Sequence, residues 1–276
     1  VRVPASSANL GPGFDALGVA LALHAEVGVV GVDVPPEGAR TVEATHPASV
    51  AFRRAGGEGE VWVRSPIPTG RGLGFSGAVR VGGLLAAHQQ RHGGVEVDDE
   101  ARHAVLALAT ELEGHPDNVA ASLLGGVVVA AAGHAVCVPL GVDPAVVVWI
   151  PSFQTFTDQS RAGLPDTVPF ADAVFNVGRT GLLVAALAAG DVASLREAAA
   201  DRLHQPTRLA AAEPSARAIA AALAAGAWGA WLSGSGPTVA MWCDAGDADD
   251  VAVSLPADGH TKVLCIDHEG AMLTPR

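Results

Sequence analysis

The order of apolar and polar residues divides the chain into short strands and longer helices. Ala20–Val32 and Val61–Arg64, the latter alternating and rich in β-branched residues, predict strands. Ser76–Arg91 and Asp98–Glu113 carry apolar residues at helical spacing. In the second, Ala101, Val105, Leu108 and Leu112 share one face, and Asp98, Asp99 and Glu100 sit at the start, where carboxylates suit the helix dipole. Val119–Leu140 is uncharged apart from the titratable His134 and is long enough to span a bilayer. Gly125-Gly126, Gly133-His134 and Pro139 cut it into pieces, so VVVAA and AVCV read as two strands joined by a turn. After a turn at Asp143-Pro144 comes a further β-like run, AVVVWIPS. Helices are then expected at Phe170–Ala189, Val192–Arg202 and Ser215–Ala224, and strands at Gly229–Leu232, Thr238–Cys243 and Lys262–Ile266. This is an α+β pattern of two layered domains, 1–143 and 144–276.

Composition narrows the partners. The 276 residues carry 17 Lys+Arg against 29 Asp+Glu, a formal charge of −12, and Lys262 is the only lysine. Such a chain lacks the basic face that broad nucleic-acid binding or an anionic membrane surface requires. A small anionic substrate remains compatible, because a few arginines act locally. Cys137, Cys243 and Cys265 are far apart and odd in number, which fits a reducing, cytoplasmic compartment rather than a disulfide scaffold. The segment VRVPASSANLGPGFD has no charged-then-apolar leader pattern.

The richest local signal is Pro68-Thr69-Gly70-Arg71-Gly72-Leu73-Gly74-Phe75-Ser76-Gly77-Ala78, a glycine-rich loop opening a long apolar helix. Glycines allow positive φ and close backbone approach, and free N–H groups at a helix start attract phosphate. An unliganded glycine-rich connection would have the same composition. The loop is not a Walker A motif, which needs G-x-x-x-x-G-K-[ST], nor a dinucleotide fingerprint. Gly74–Ala78 falls one residue short of a G-x-S-x-G nucleophile elbow, which would make Ser76 a hydrolase nucleophile. Glu111–Asn118 gathers three carboxylates, an imidazole and an amide at a helix end, either a polar cap with Gly114 or a Mg²⁺ carboxylate with substrate contacts. His88 and His92, four apart, have zinc spacing but no evident third ligand.

Six motifs in order resemble the GHMP small-molecule kinases, over essentially the whole chain. They are Val3–Gly18, Pro68–Ala78, Glu111–Asn118, Thr157–Arg161, Leu203–Arg208 and Leu232–Thr238. The resemblance implies an N-terminal β-α-β nucleotide-binding domain and a ferredoxin-like C-terminal domain. Within the family it is strongest to the branch that phosphorylates the hydroxyl of L-homoserine with ATP and Mg²⁺, often as homodimers. By the same resemblance Pro68–Ala78 wraps the triphosphate, and Ser76 and Glu113 hold Mg²⁺. Asn9, Asp15, His115 and Asp117 line the amino-alcohol pocket, and Arg161 and Arg208 clamp the substrate carboxylate. Thr157 and the Ser233–Thr238 loop, with Gly234, complete the closed site. Asp117, Asn118 and Arg161 are the expected catalytic residues. Some GHMP kinases place an aspartate base where Asn118 stands here, and an amide cannot take the hydroxyl proton, so positioning catalysis is implied. Two departures stand out: the family loop usually reads G-L-G-S-S-A, whereas Phe75 and Gly77 occur here, and 41–60 is short.

Overall fold

The computed structural model describes residues 1–93, 96–154 and 157–274, with side chains at all of these except 157–159. Two antiparallel sheets organise the chain. The first is built on β2 (Leu17–Val29), which pairs with β1 (Arg2–Ala8), with β5 (Val127–Ala131) through Leu17–Val19, and with β4 (Val61–Arg64) through Glu26–Val29. β3 (Arg40–Thr41) and β6 (His134–Val138) form its outer strands. α1 (Pro47–Arg54), α2 (Phe75–His92) and α4 (Asp117–Leu124) pack on it, and α3 (Asp99–Glu113) lies against α2 and α4. Asp98 caps α3 by accepting a hydrogen bond from Ala101 N at 2.8 Å, as the acidic start of that segment implies.

The second sheet contains β7 (Ala145–Pro151), β8 (Gly229–Leu232), β9 (Val239–Cys243) and β10 (Gly259–Leu264) in the order β10-β7-β9-β8. With α9 (Glu213–Ala224) before β8 and α10 (Ala248–Ser254) before β10, this is the β-α-β-β-α-β arrangement of a ferredoxin-like domain. α5 (Thr157–Ala162), α6 (Phe170–Ala189), α7 (Val192–Ala198) and α8 (Gln205–Ala210) occupy the first crossover. β7 shows why its sequence is an unbroken apolar run: both of its faces are buried. Val146, Val148 and Ile150 join the core shared with the first sheet, while Val147 and Trp149 pack with Ala218, Ala222 and Val251 of α9 and α10. Beyond β10 the chain returns to the first sheet, where Ile266 bridges Leu21 and Met272 bridges Arg2.

The long periodic segments form the elements expected of them, and the stretch 119–140 folds as the end of α4 followed by the β5–β6 hairpin. One expectation fails: the helix predicted over 192–202 ends at Ala198. Asp201 is the reason. Its carboxylate accepts hydrogen bonds from the backbone N–H groups of Leu203, His204 and Gln205 at 2.7–3.1 Å, and so opens α8 instead of continuing α7.

Candidate active site

A cavity lies where the two sheets meet, and Pro68 through Ser76 line one side of it. Gly70, Gly72 and Gly74 have φ of +66°, +75° and +68°. Gly74 is required on steric grounds as well, since a Cβ there would stand 2.0 Å from Ser6 Oγ. It is the N-cap of α2 and brings no capping side chain, so the first N–H groups of an 18-residue helix open onto the cavity. The loop is pinned from two directions. Ser6 N donates to Leu73 O at 3.3 Å, and Ser233 Oγ donates to Gly72 O at 2.5 Å. Arg71 is turned toward the end of β7, where its guanidinium donates to the carbonyls of Pro151 and Ser152. Gly77 and Ala78 are buried in the first turn of α2 and do not line the cavity. Phe75 lines it, half-buried, with its ring edge-on to His46 at 6.0 Å.

Ser76 Oγ donates to Glu113 Oε2 at 2.9 Å, joining the start of α2 to the end of α3. Arg80, one turn after Ser76, donates to Ser76 Oγ at 2.6 Å and to Leu112 O at 3.1 Å, and lies 3.2 Å from Glu113 Oε2. A hydroxyl beside a carboxylate is a hard-oxygen donor set that fits Mg²⁺. The sequence reading missed Arg80, although its i, i+4 spacing from Ser76 was a usable signal. Among the described residues Ser76 has a carboxylate and a guanidinium as its partners and no imidazole base, and this removes support from the hydrolase reading. The polar segment after Leu108 splits by helix face. Glu111 points outward to Arg54, whereas Glu113 points into the cavity. Gly114 also caps α3 at φ +88°, so the segment serves as both cap and site. His88 and His92 stack at 4.6 Å, and no third metal-ligating side chain joins them among the described residues.

At the far end of the cavity the chain turns sharply after β1. Asn9, Leu10 and Asp15 have φ of +71°, +49° and +57°, backbone positions that cost energy unless the surroundings hold them. Asn9 does much of the holding: its Oδ1 accepts from Asp15 N, and its Nδ2 donates to Gly234 O, each at 3.0 Å. Asp15 receives a bidentate pair from Arg161 at 2.6 and 2.8 Å. His115 Nδ1 lies 2.6 Å from Asp117 Oδ1, which also accepts from Asn118 N. Ligand atoms of Asp15, His115 and Asp117 lie within 4.8 Å of one another. Asn118 Oδ1 accepts from Ser6 Oγ at 2.9 Å, which leaves its amide N–H groups as donors. Arg208 donates to Gly234 O at 3.1 Å, and the guanidinium carbons of both Arg161 and Arg208 lie 5.2 Å from the centre of the Phe14 ring. Phe14 and His204 are further residues that the sequence reading did not single out. The side chain of Thr157 lies outside the described residues.

Two imidazoles are driven in opposite directions. His204 is fully buried, stacks on Phe14 at 5.0 Å and bonds to Gly11 O through Nε2. A neutral ring with its proton on Nε2 leaves Nδ1 to accept from Arg208 at 3.2 Å. Burial lowers the pKa of His204 despite the Asp201 charge. Burial also works against the charged form of His115. The hydrogen bond to Asp117 and the charges of Asp117, Glu113 and Asp15 outweigh it, and the pKa is raised. Burial and the nearby Arg161 lower Arg208 from its ordinary value.

Comparison with known proteins decides the family. Residues 41–126 match the GHMP kinases N terminal domain and residues 183–261 the GHMP kinases C terminal domain. The chain belongs to the GHMP kinase family. It is 40% identical over 294 residues to the homoserine kinase of Streptomyces coelicolor, covering 100% of this chain and 94% of that protein. It is 43% identical over 261 residues to the homoserine kinase of Gloeobacter violaceus, covering 87% and 85%. The crystal structure of homoserine kinase from Cytophaga hutchinsonii superposes with a TM-score of 0.81 at 25% identity, covering 98% and 95%. The two-domain GHMP kinase architecture, and membership of a group of small-molecule kinases, thus rest on sequence and fold together.

Proposed function

We propose that this GHMP kinase transfers the γ-phosphoryl group of ATP to the side-chain hydroxyl of L-homoserine, giving ADP and O-phospho-L-homoserine for threonine biosynthesis in the cytoplasm. One observation carries the reading. The uncapped start of α2 and the Ser76–Glu113 pair open into the same cavity as the Asp15, Arg161 and Arg208 charges. The first set suits a metal-bound phosphate and the second an amino-acid zwitterion. Residues 1–143 would supply most of the nucleotide side, and 144–276 would bring Arg161, Arg208 and Gly234 over the acceptor.

In this reading the backbone of Pro68–Gly74 and the first turn of α2 hold the triphosphate. Ser76 and Glu113 are the residues that would hold Mg²⁺, which when bound offsets phosphate charge. Arg80 orients both. Asp15, with His115 and Asp117 behind it, receives the substrate ammonium. Arg161 and Arg208 receive the carboxylate, a task suited to a planar, two-pronged donor. Asp117 is 1% exposed and already bonded to His115 and Asn118 N, so it positions rather than abstracts. The Asn118 amide aligns the acceptor hydroxyl, and the proton leaves with phosphate or to water. Alignment and charge neutralisation are what phosphoryl transfer chiefly asks of a protein.

Coupled ADP release tests the assignment with L-homoserine, threonine, serine and mevalonate as acceptors. Homoserine is expected to give the highest kcat/KM. Preference for another alcohol would transfer the site to a different acceptor, and nucleotide binding without turnover would point to Phe75, which lines the cavity beside the phosphate loop.

A further inference from the structure

Phe14 lines the cavity, half-buried, beside Asp15. The fold surrounds this apolar ring with charge, drawing on the turn after β1, on α5 and on the start of α8. The guanidinium carbons of Arg161 and Arg208 each lie 5.2 Å from the ring centre, and the His204 ring stacks on it at 5.0 Å with 27° between the planes. The ring does not hold the turn in shape, because backbone contacts do so without it. Gly13 N donates to Asn9 O, Asp15 N donates to Asn9 Oδ1, Asn176 and Thr180 donate to Pro12 O, and His204 bonds to Gly11 O. What the ring does hold is a pair of like charges. Arg161 has Asp15 as its countercharge. Among the described residues Arg208 hydrogen-bonds to neutral partners, His204 and the Gly234 carbonyl, and its Nε is buried without a partner. After burial, the charge of Arg161 is the next cause of the lowered pKa of Arg208, so the two cations sense each other. An aromatic face attracts a cation through its quadrupole, more strongly where water is excluded.

We propose that Phe14 is a positioning residue for the acceptor: its ring gathers the Arg161 and Arg208 guanidinium groups into one carboxylate receptor, and so makes the site select an amino acid over an amino alcohol that lacks the carboxylate. The inference rests on the assignment of both arginines to the substrate carboxylate. When the substrate ammonium takes Asp15, Arg161 gives up its countercharge, and the ring is the contact that stays with it until the carboxylate arrives. Arg208 has the same ring and no ion pair among its hydrogen bonds. The orientation of the ring is itself set, since His204 stacks on it and is anchored to Gly11 O at 2.8 Å. Two guanidinium groups already held at one place lose less conformational freedom when they close on a carboxylate. A leucine would fill much of the same space and attract neither cation.

Steady-state kinetics of the full chain with Phe14→Leu and Phe14→Tyr test the proposal, using two inhibitors that divide homoserine between them. 4-Hydroxybutanoate keeps the carboxylate and lacks the ammonium, whereas 3-aminopropan-1-ol keeps the ammonium and lacks the carboxylate. Phe14→Leu is expected to raise KM for L-homoserine and the inhibition constant of 4-hydroxybutanoate about tenfold each, with a smaller change in kcat. The inhibition constant of 3-aminopropan-1-ol should rise at least about fivefold less than that of 4-hydroxybutanoate. Phe14→Tyr keeps the aromatic face and should restore most of the loss. Equal weakening of both inhibitors by Phe14→Leu would make Phe14 merely structural and overturn the proposal. Unchanged binding of 4-hydroxybutanoate, or a loss in Phe14→Tyr as large as in Phe14→Leu, would overturn it too. Melting curves check that each variant is folded, and Phe14→Met takes the place of Phe14→Leu if that variant does not fold. The acceptor assignment is judged separately on the unmodified chain. Absence of homoserine turnover there refutes that assignment and the role of Phe14 with it, whereas normal turnover with equal weakening of the two inhibitors refutes the role of Phe14 alone.

Discussion

Arg161 and Asp15 form a two-pronged ion pair whose side chains are 42% and 31% exposed. Solvent screening at that exposure makes the pair a small contributor to stability, and its arrangement matters more for binding. A zwitterionic amino acid carries both charges needed to replace the pair, its ammonium on Asp15 and its carboxylate on Arg161. Arg161→Ala is therefore expected to raise KM for homoserine several-fold or more with a smaller effect on kcat, measured by steady-state kinetics. An unchanged KM would remove Arg161 from the clamp. Glu113→Ala should slow turnover more than Asn118→Ala, because the first leaves Ser76 without its carboxylate partner and the second removes only an aligning amide. The reverse order would count against both roles. His204 and His115 separate by pH. The folded pKa of His204 lies below its ordinary 6.5, so the unfolded chain binds more protons and stability falls as pH drops below 6.5. The folded pKa of His115 lies above 6.5, so its contribution is present below that value and is lost as pH rises through the folded pKa. Melting temperatures from roughly pH 5 to 8 should show the acid-side loss reduced in His204→Gln and deepened in His115→Gln.

At the scale of elements, the site depends on helix ends more than on helix faces. α2 contributes its uncapped start, α3 its last residue and α4 its first turn, and each is set by a local device: left-handed Gly74, left-handed Gly114, and Pro116 before Asp117. Gly74→Ala tests the first of these. The added Cβ would press on Ser6 Oγ, which is also the donor to Asn118, and φ is +68°. A loss of roughly 1–3 kcal/mol in stability and a marked loss of nucleotide affinity are expected, read by denaturant titration and calorimetric ADP binding. Retained affinity with reduced stability would detach the loop geometry from phosphate binding. These ends were only partly legible beforehand. The long apolar periods of α2, α3 and α6 identify them as helices from sequence. The short helices α1, α4 and α8 have too few turns to show a period, and α8 depends on the Asp201 carboxylate taking its first N–H groups.

For the whole molecule, the cavity draws its walls from both sheets, and a network of buried side chains spans the junction. Ser7 Oγ lies 2.7 Å from Ser233 Oγ and accepts from Trp231 Nε1 at 2.9 Å, tying β1 to β8 and the loop that follows it. Ligands that bridge the two halves should stabilise them together. At concentrations near 100 times Kd, each ligand adds about 2.7 kcal/mol. Scanning fluorimetry should therefore show upward shifts of several degrees with Mg·ADP and again with homoserine. Adding a chelator should shrink the nucleotide shift while leaving the homoserine shift in place. Equal nucleotide shifts with and without chelator would remove Ser76 and Glu113 from metal binding.

The sequence by itself determined what depends on neighbours along the chain: the period of the long helices, the apolar run that forms β7, the glycine loop at the start of α2, and the ordered motifs that mark the family. Tertiary structure decided what depends on residues far apart in sequence. It chose Glu113 over Glu111 for the cavity, because the two lie on different faces of α3. It buried Gly77 and Ala78 in the first turn of α2, with Gly77 against Asn118 and Val119 of α4. It recruited Arg80 to the Ser76–Glu113 pair and joined Asp15 to Arg161 across 146 residues of chain. Local pattern fixes which way a segment coils, but the direction a charged side chain faces is set by whatever the folded chain packs beside it.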